Sequence, residues 1–255
     1  MDEGLNQSSL VAEHSSMETS QNQLFERFFN CLISGDRPGA RMVVDQVLDA
    51  AACDGQKVLT HLYWPTLERF QKLYRNDQMS NLAYNYATRL LRHLIDQMQL
   101  RLKQSERRNT KVLVVSGSDQ SEELSAQIAS DLLEADGYDV FYAGGGIAND
   151  EIIEQIGELN ADRLVIFGAV PSMVPHTRQL IDRLHEIGVC PHLQIIVGGG
   201  VFNRADGLAE EIGADLWAKD PTELVGVMNE QQERRMAANQ RTVGRRRRNT
   251  RRNAA

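Results

Sequence analysis

No apolar run in the 255 residues approaches the length needed to span a bilayer. The first twenty residues are polar and acidic, with no basic stretch leading into an apolar core. They are expected to form a disordered leader and not a secretion signal. Cysteine is scarce. Cys31, Cys53 and Cys190 share no short spacing, which argues against a metal finger or a dense disulfide framework and suits a reducing cytoplasm. Also missing are the Gly-x-x-x-x-Gly-Lys-Ser/Thr loop of nucleotide phosphate sites and the nucleophile elbow of hydrolases. The segment SGSDQSEEL, residues 116–124, lacks the glycine spacing of a dinucleotide site, and its acidity disfavours a phosphate.

What is present is ordinary in amount and uneven in placement. Hydrophobic residues make up 42% of the chain, enough for one large or two modest domains. The formal net charge is −7, yet residues 233–255 hold nine Arg and one Glu, a local +8, so residues 1–232 carry −15. The run RTVGRRRRNTRRNAA has no apolar pattern and is expected to be disordered in isolation. Such a tail can hold RNA, DNA or an anionic membrane surface, fold back on the acidic body, or remain solvated.

From about Ser20 to Lys103 the apolar spacing is helical. Leu24, Phe25, Phe28, Phe29, Leu32 and Ile33 recur at threes and fours, closed by Gly35. Asp36 and Pro38 can open a second helix carrying Val43, Val44, Val47 and Leu48. A third spans roughly residues 55–74 with a kink expected at Pro65, and Ser80 can cap a fourth through Leu90, Leu91, Leu94 and Met98. Four amphipathic helices with short connections make a bundle.

The basic stretch RLKQSERRNTK then breaks the rhythm. Beyond it, apolar runs beginning near residues 112, 140, 163 and 193, with a short one over Leu216 to Ala218, alternate with helical stretches. Strands alternating with helices imply a parallel sheet with right-handed crossovers. The expected division is a leader over 1–20, a helical domain over 21–104, a linker over 105–111, an α/β domain over 112–230 and a basic tail over 231–255. Acidic turns also occur in receiver domains, but those end the third strand on Asp, where Phe167-Gly168 stands.

The segment from Val112 to Val140 resembles the cobalamin-binding domains of methionine synthases, mutases and corrinoid proteins. Ser34-Gly35-Asp36, Leu62-Tyr63-Trp64-Pro65, Phe70-Gln71-Lys72-Leu73-Tyr74 and Tyr84-Asn85-Tyr86-Ala87-Thr88 follow the wording of the four-helix cap that often precedes those domains. The resemblance covers roughly residues 24–228. It implies a fold of class α/β, a four-helix bundle followed by a flavodoxin-like (Rossmann-like), doubly wound, five-stranded parallel sheet.

At the ligand the resemblance is altered. The family's first turn carries Asp-x-His-x-x-Gly, whose His ligates cobalt; here those positions hold Gln120, Glu122 and Ser125. A carboxylate oxygen does not replace an imidazole donor, so a bound corrinoid would keep its own lower base or take another ligand. Glu122 is otherwise expected to be a solvated first-turn carboxylate favoured by the helix dipole. The cap's Trp and His fall at Tyr74 and Asn85. Tyr74 serves either bundle packing or the face of a macrocycle, and Tyr86 packs with a wet hydroxyl. The family's Ser-x-Leu falls at Gly168-Ala169-Val170, and its Gly-Gly at Gly198-Gly199, the slot for the nucleotide tail. Gly144-Gly145-Gly146 lies at the same edge, with Asn149 or Asp150 placed to cap the next helix. His176, just after the third strand, is either a helix-start residue or a ligand.

The resemblance implies a non-catalytic module, sensory or regulatory, that binds a cobalamin or related tetrapyrrole between the helical cap and the sheet, without the usual His ligand, and signals to a protein partner. No metal ligand and no catalytic residue is assigned. Two alternatives stand beside it: an apo scaffold of the same fold, and a corrinoid carrier subunit of a methyltransferase system. A winged or helix-turn-helix block is missing, which argues against a sequence-specific DNA reader.

Overall fold

The computed structural model describes residues 22–50, 54–168, 170–188 and 190–236. The leader, Cys53 and the arginine-rich run after Met236 lie outside them, as does the nucleic-acid contact expected of that run. The chain divides into two units, Met1–Arg101 and Leu102–Ala255. Among the described residues no helix is long and apolar enough to cross a membrane.

The first unit is helical. Helix α1 covers 22–34 and α2 covers Arg37–Ala50. Helix α3, Gly55–Val58, runs through a π-helical turn at Leu59–Tyr63 into α4, Trp64–Arg75; α5 covers Asn81–Gln99. Phe28, Leu32, Val43, Val58, Leu67, Phe70 and Leu91 are fully buried, the stripe that the three-and-four spacing requires. Asp36 accepts from the Gly39 N–H at 3.0 Å and Ser80 from the Ala83 N–H at 3.2 Å, so both expected helix starts are capped by side chains. The irregularity expected at Pro65 takes the form of the π turn ahead of it. Proline has no N–H to offer and its ring crowds the carbonyl four residues back, and the wider turn absorbs that mismatch.

The second unit is a doubly wound sheet. Strands β1 (Lys111–Ser116), β2 (Asp139–Gly144), β3 (Arg163–Phe167), β4 (Gln194–Gly198) and β5 (Leu216–Ala218) are all parallel, in the order β2-β1-β3-β4-β5. Helices α6 (Gln120–Ala135) and α10 (Pro221–Glu230) cover one face. Helices α7 (Asn149–Leu159), α8 (Val174–Ile187) and α9 (Leu208–Ile212) cover the other, burying Leu113, Val115, Leu164, Ile166, Ile195 and Val197. Burial on both faces explains why β1, β3 and β4 read as continuous apolar runs and not as alternating ones. The chain leaves β1 toward one face and β3 toward the other, so the switch point where such sheets bind ligands lies between their carboxyl ends.

Three local features differ from the sequence reading. Residues 105–110 are not a free linker: Ser105 N–H donates to Ala135 O, Arg108 N–H to Gly137 O, and the Arg108 guanidinium to Asp136 O at 2.7 Å. Helix α7 begins after Ala148 with no side-chain cap: the cap position falls on alanine, and Asn149, already the first helical residue, donates its amide N–H to His176 O at 3.3 Å. Residues 231–236, the expected start of the disordered tail, are held at the amino end of the sheet. Gln194 donates to Gln231 O and Arg234 O, Arg235 to His192 O, and Asp215 accepts from Met236 N–H at 2.6 Å.

Asp215 also accepts from the Ile195 N–H at 2.8 Å and is itself buried. Asp215→Ala strands two backbone donors, one of them inside a strand pair. The expected loss is about 2 kcal/mol in urea unfolding, with faster amide exchange over residues 231–236. Unchanged exchange there would show that Asp215 does not hold the segment.

Candidate functional site

Glu122, at the third position of α6, is 4% exposed and not the solvated carboxylate the sequence suggested. Its Oε2 accepts from the Asp119 N–H at 3.2 Å while Asp119 Oδ1 accepts from the Ser121 N–H at 2.9 Å, a capping box that closes the first turn. The carboxylate lies against Gly117, where a Cβ would collide with Oε2 and stand 2.6 Å from Met173 Sδ. Oε1 is buried without a hydrogen bond of full geometry. Burial pushes the carboxyl up to about 7; the charge of Asp119 pushes the same way, and the N–H groups of Asp119 and Val170 oppose it. Gln120 opens the helix half-exposed, and Ser125, one turn beyond Ser121, donates to Ser121 O at 2.9 Å.

The other predicted residues of this unit gather at the carboxyl ends of β3 and β4, on the α6 face. Register pairs Ser116 with Phe167, Phe167 with Gly198, and Gly198 with Ala218. Registered neighbours in a parallel sheet point to one face, so this edge row is small, large, small, small. The Phe167 ring, fully buried, lies over the glycines. A Cβ at Gly198 would stand 2.6 Å from Phe167 Cδ2 and 2.8 Å from Ala218 O, and one at Gly199 would stand 3.2 Å from Phe167 Cε1. Gly168, at φ +80°, is faced by Glu122 O at 2.8 Å and the Ser125 Cβ at 3.1 Å, measured from the same ideal position. Val170 is half-buried and precedes the 3-10 turn Pro171–Met173.

In the helical unit, Tyr74 stacks on Tyr84 with ring centroids 3.9 Å apart, and its hydroxyl donates to Asn81 Oδ1 at 2.9 Å. The packing reading accounts for that geometry. Asn85 is half-exposed on α5, and Tyr86 is 44% exposed.

A cleft of about 600 Å³ opens on the opposite face of the sheet, at the carboxyl ends of β1, β2 and β3. Its walls are apolar, from Ile147, Ile152, Met173 and Leu180, and its rim is polar, from Ser118, Asn149, His176, Thr177 and Arg183. Arg183 pairs with Asp150 at 2.6 Å, so the rim carries no large unbalanced charge. This cleft sits beside the β1/β3 switch point, with Gly117, Gly144 and Gly146 in its floor. His176 belongs to this cleft, as a helix-start residue of α8.

Residues 100–225 match the B12 binding domain family. The α/β unit belongs to the B12-binding domain family. Dimethylamine corrinoid protein 1 of Methanosarcina acetivorans is 26% identical over 120 residues, which span 46% of this chain and 55% of that relative. Monomethylamine corrinoid protein 1 of Methanosarcina mazei is 20% identical over 220 residues, spanning 82% of this chain and 97% of the relative. The solved monomethylamine corrinoid protein of Methanosarcina barkeri shares the fold, with a TM-score of 0.61 at 16% identity over 82% of this chain and 98% of its own.

This B12-binding domain does not fit a histidine-ligated corrinoid with its tail inserted beside α6. Glu122 is used as a helix cap, and the Phe167 ring fills the space above Gly198. Among the described residues no group of three or more His, Cys, Asp or Glu is arranged to hold a metal ion. The open volume described above lies on the other face. Sequence reasoning missed Phe167 and Arg183. Phe167 carried a usable signal: a large aromatic closes the third apolar run and a glycine the fourth, and in-register parallel pairing sets the two side by side.

Glu122 gives a pH-dependent stability. Its carboxyl holds a proton more tightly folded than unfolded, so its contribution is fully present below about pH 4.5 and is lost as pH rises through about 7. With discount for partial solvent screening, the loss between pH 5 and pH 7.5 is on the order of 2 kcal/mol. Glu122→Gln keeps an acceptor for the Asp119 N–H and is expected to flatten that slope in urea unfolding at the two pH values. An unchanged slope would remove Glu122 as its source.

Proposed function

We propose that this chain is a corrinoid carrier subunit of the methyltransferase kind, binding a cobalamin that retains its own lower base. The family match over residues 100–225 carries this reading. The names of the relatives, which join a corrinoid to dimethylamine or monomethylamine, favour a carrier over the sensory or regulatory module that the sequence suggested. In this reading the chain supplies the binding surface, and a partner methyltransferase would carry out the chemistry on the methyl group. The cleft beside the β1/β3 switch point is the surface assigned to the ligand. Its hydroxyl and amide groups at Ser118, Asn149 and Thr177 suit the neutral amides that fringe a corrin ring, and its paired charges at Arg183 and Asp150 repel neither sign.

A second reading rests on one observation. The α6-face slot is packed with the protein's own atoms, which also suits a scaffold of this fold that holds no corrinoid.

Reconstitution separates the two. Purified protein is incubated with hydroxocobalamin or methylcobalamin in the dark, desalted, and measured by absorption and calorimetry. The carrier reading expects retained corrin with the absorption of the base-retained form, and Ser118→Trp, which fills the cleft mouth, is expected to lower retention at least tenfold. No retention of either corrinoid leaves the scaffold.

A further inference from the structure

The edge row at the carboxyl ends of the strands on the α6 face holds one large side chain among small ones. Ser116, Gly198 and Ala218 leave room on either side of Phe167, and the Phe167 ring takes up that room so fully that none of it reaches solvent. Two further contacts seal the same region. The first turn of α6 comes down on Gly168 through Glu122 O, and the capping box holds that turn in place. A flat aromatic group of the protein therefore occupies the place beside the glycine pair that the resemblance assigns to the ligand's nucleotide tail.

We propose that Phe167 is a built-in aromatic plug that makes this domain selective for corrinoids whose nucleotide tail stays outside the protein. For corrinoids the selectivity rests on the carrier reading above; the plug itself does not. An inserted tail would have to displace a fully buried ring from between α6 and the sheet, whereas a corrinoid lying at the strand ends leaves the ring untouched. The domain thus takes a cobalamin that keeps its tail folded onto its own cobalt, and equally a corrinoid with no nucleotide tail.

Two experiments test the plug on the full chain. In the first, cobalamin and the tail-less cobinamide are titrated into the wild-type protein by calorimetry. Affinities within about tenfold of each other, with base-retained absorption for bound cobalamin, are expected. Loss of binding for cobinamide by a hundredfold or more, or absorption showing a displaced base, would overturn the proposal. In the second, free 5,6-dimethylbenzimidazole is the probe, and no corrinoid is present. Wild-type protein is expected not to bind it. Phe167→Ala opens a ring-sized apolar cavity of the kind that accepts small aromatics and is expected to bind it with a rise in Tm of several degrees. Phe167→Leu, the milder variant should the alanine not fold, is expected to show a smaller rise. Absence of any rise in a folded variant would show that the ring does not fill a tail-sized space. Failure of both corrinoids to bind, with the benzimidazole result as expected, would sink the carrier reading and leave the plug standing.

Discussion

The register between β3 and β4 is the constraint on which the site depends. Parallel pairing sets Phe167 beside Gly198 on one face, and a shift of a single residue would send the ring to the opposite face, into the α7/α8 core. With the register fixed, the missing side chain at Gly198 has a definite use: it admits the Phe167 ring, while the next residue after Phe167, Gly168, lets the first turn of α6 come close through Glu122 O. A glycine pair after a strand is often read as space reserved for a ligand. In this protein the space belongs to a neighbouring side chain.

The same edge explains why Glu122 differs from a histidine in more than its ligand atom. Glu122 turns back, accepts from the Asp119 N–H and packs against Gly117 and Met173. Its raised pKa follows from that burial, since the ionised carboxylate has few donors to replace the water it has lost. The substitution and the filled slot are therefore mutually consistent. Glu122 is spent on the helix start, and the Phe167 ring takes up the space beside the glycines.

Much of the fold was legible because it rests on periodicity. Runs of apolar residues bounded by helical stretches located all five strands, including the three-residue β5, and the threes and fours of the first hundred residues located the helices. Caps were partly legible. Ser80 and Asp36 act as expected, whereas Asn149 does not, because the helix starts one residue early and puts Ala148 at the cap position. The character of the site was less legible. Whether a first-turn glutamate is solvated depends on Gly117 and Met173, one residue from a turn and one from a loop more than fifty positions away. Whether a glycine faces a ligand or a ring depends on register, which a single sequence does not print. The hydrogen bonds that tie residues 105–110 and 231–236 to the sheet are likewise long-range contacts, in segments whose charge and polarity suggested free chain.

The two faces of the sheet thus have different work at the same edge. On the α6 side, close packing by Phe167, Ser125 and the backbone of Glu122 seats α6 tightly against the strand ends. On the α7/α8 side, the cleft stays open where Gly144 and Gly146 put no side chains into it. A closely packed edge with one open flank is suited to holding a large, flat ligand by its rim, since little backbone has to be ordered when the ligand arrives. It is poorly suited to a ligand that must thread a tail between helix and sheet, because that would require breaking the capping box, expelling a buried ring and lifting α6 together. Those changes are coupled, because the capping box, the buried ring and the seat of α6 meet at one edge of the sheet.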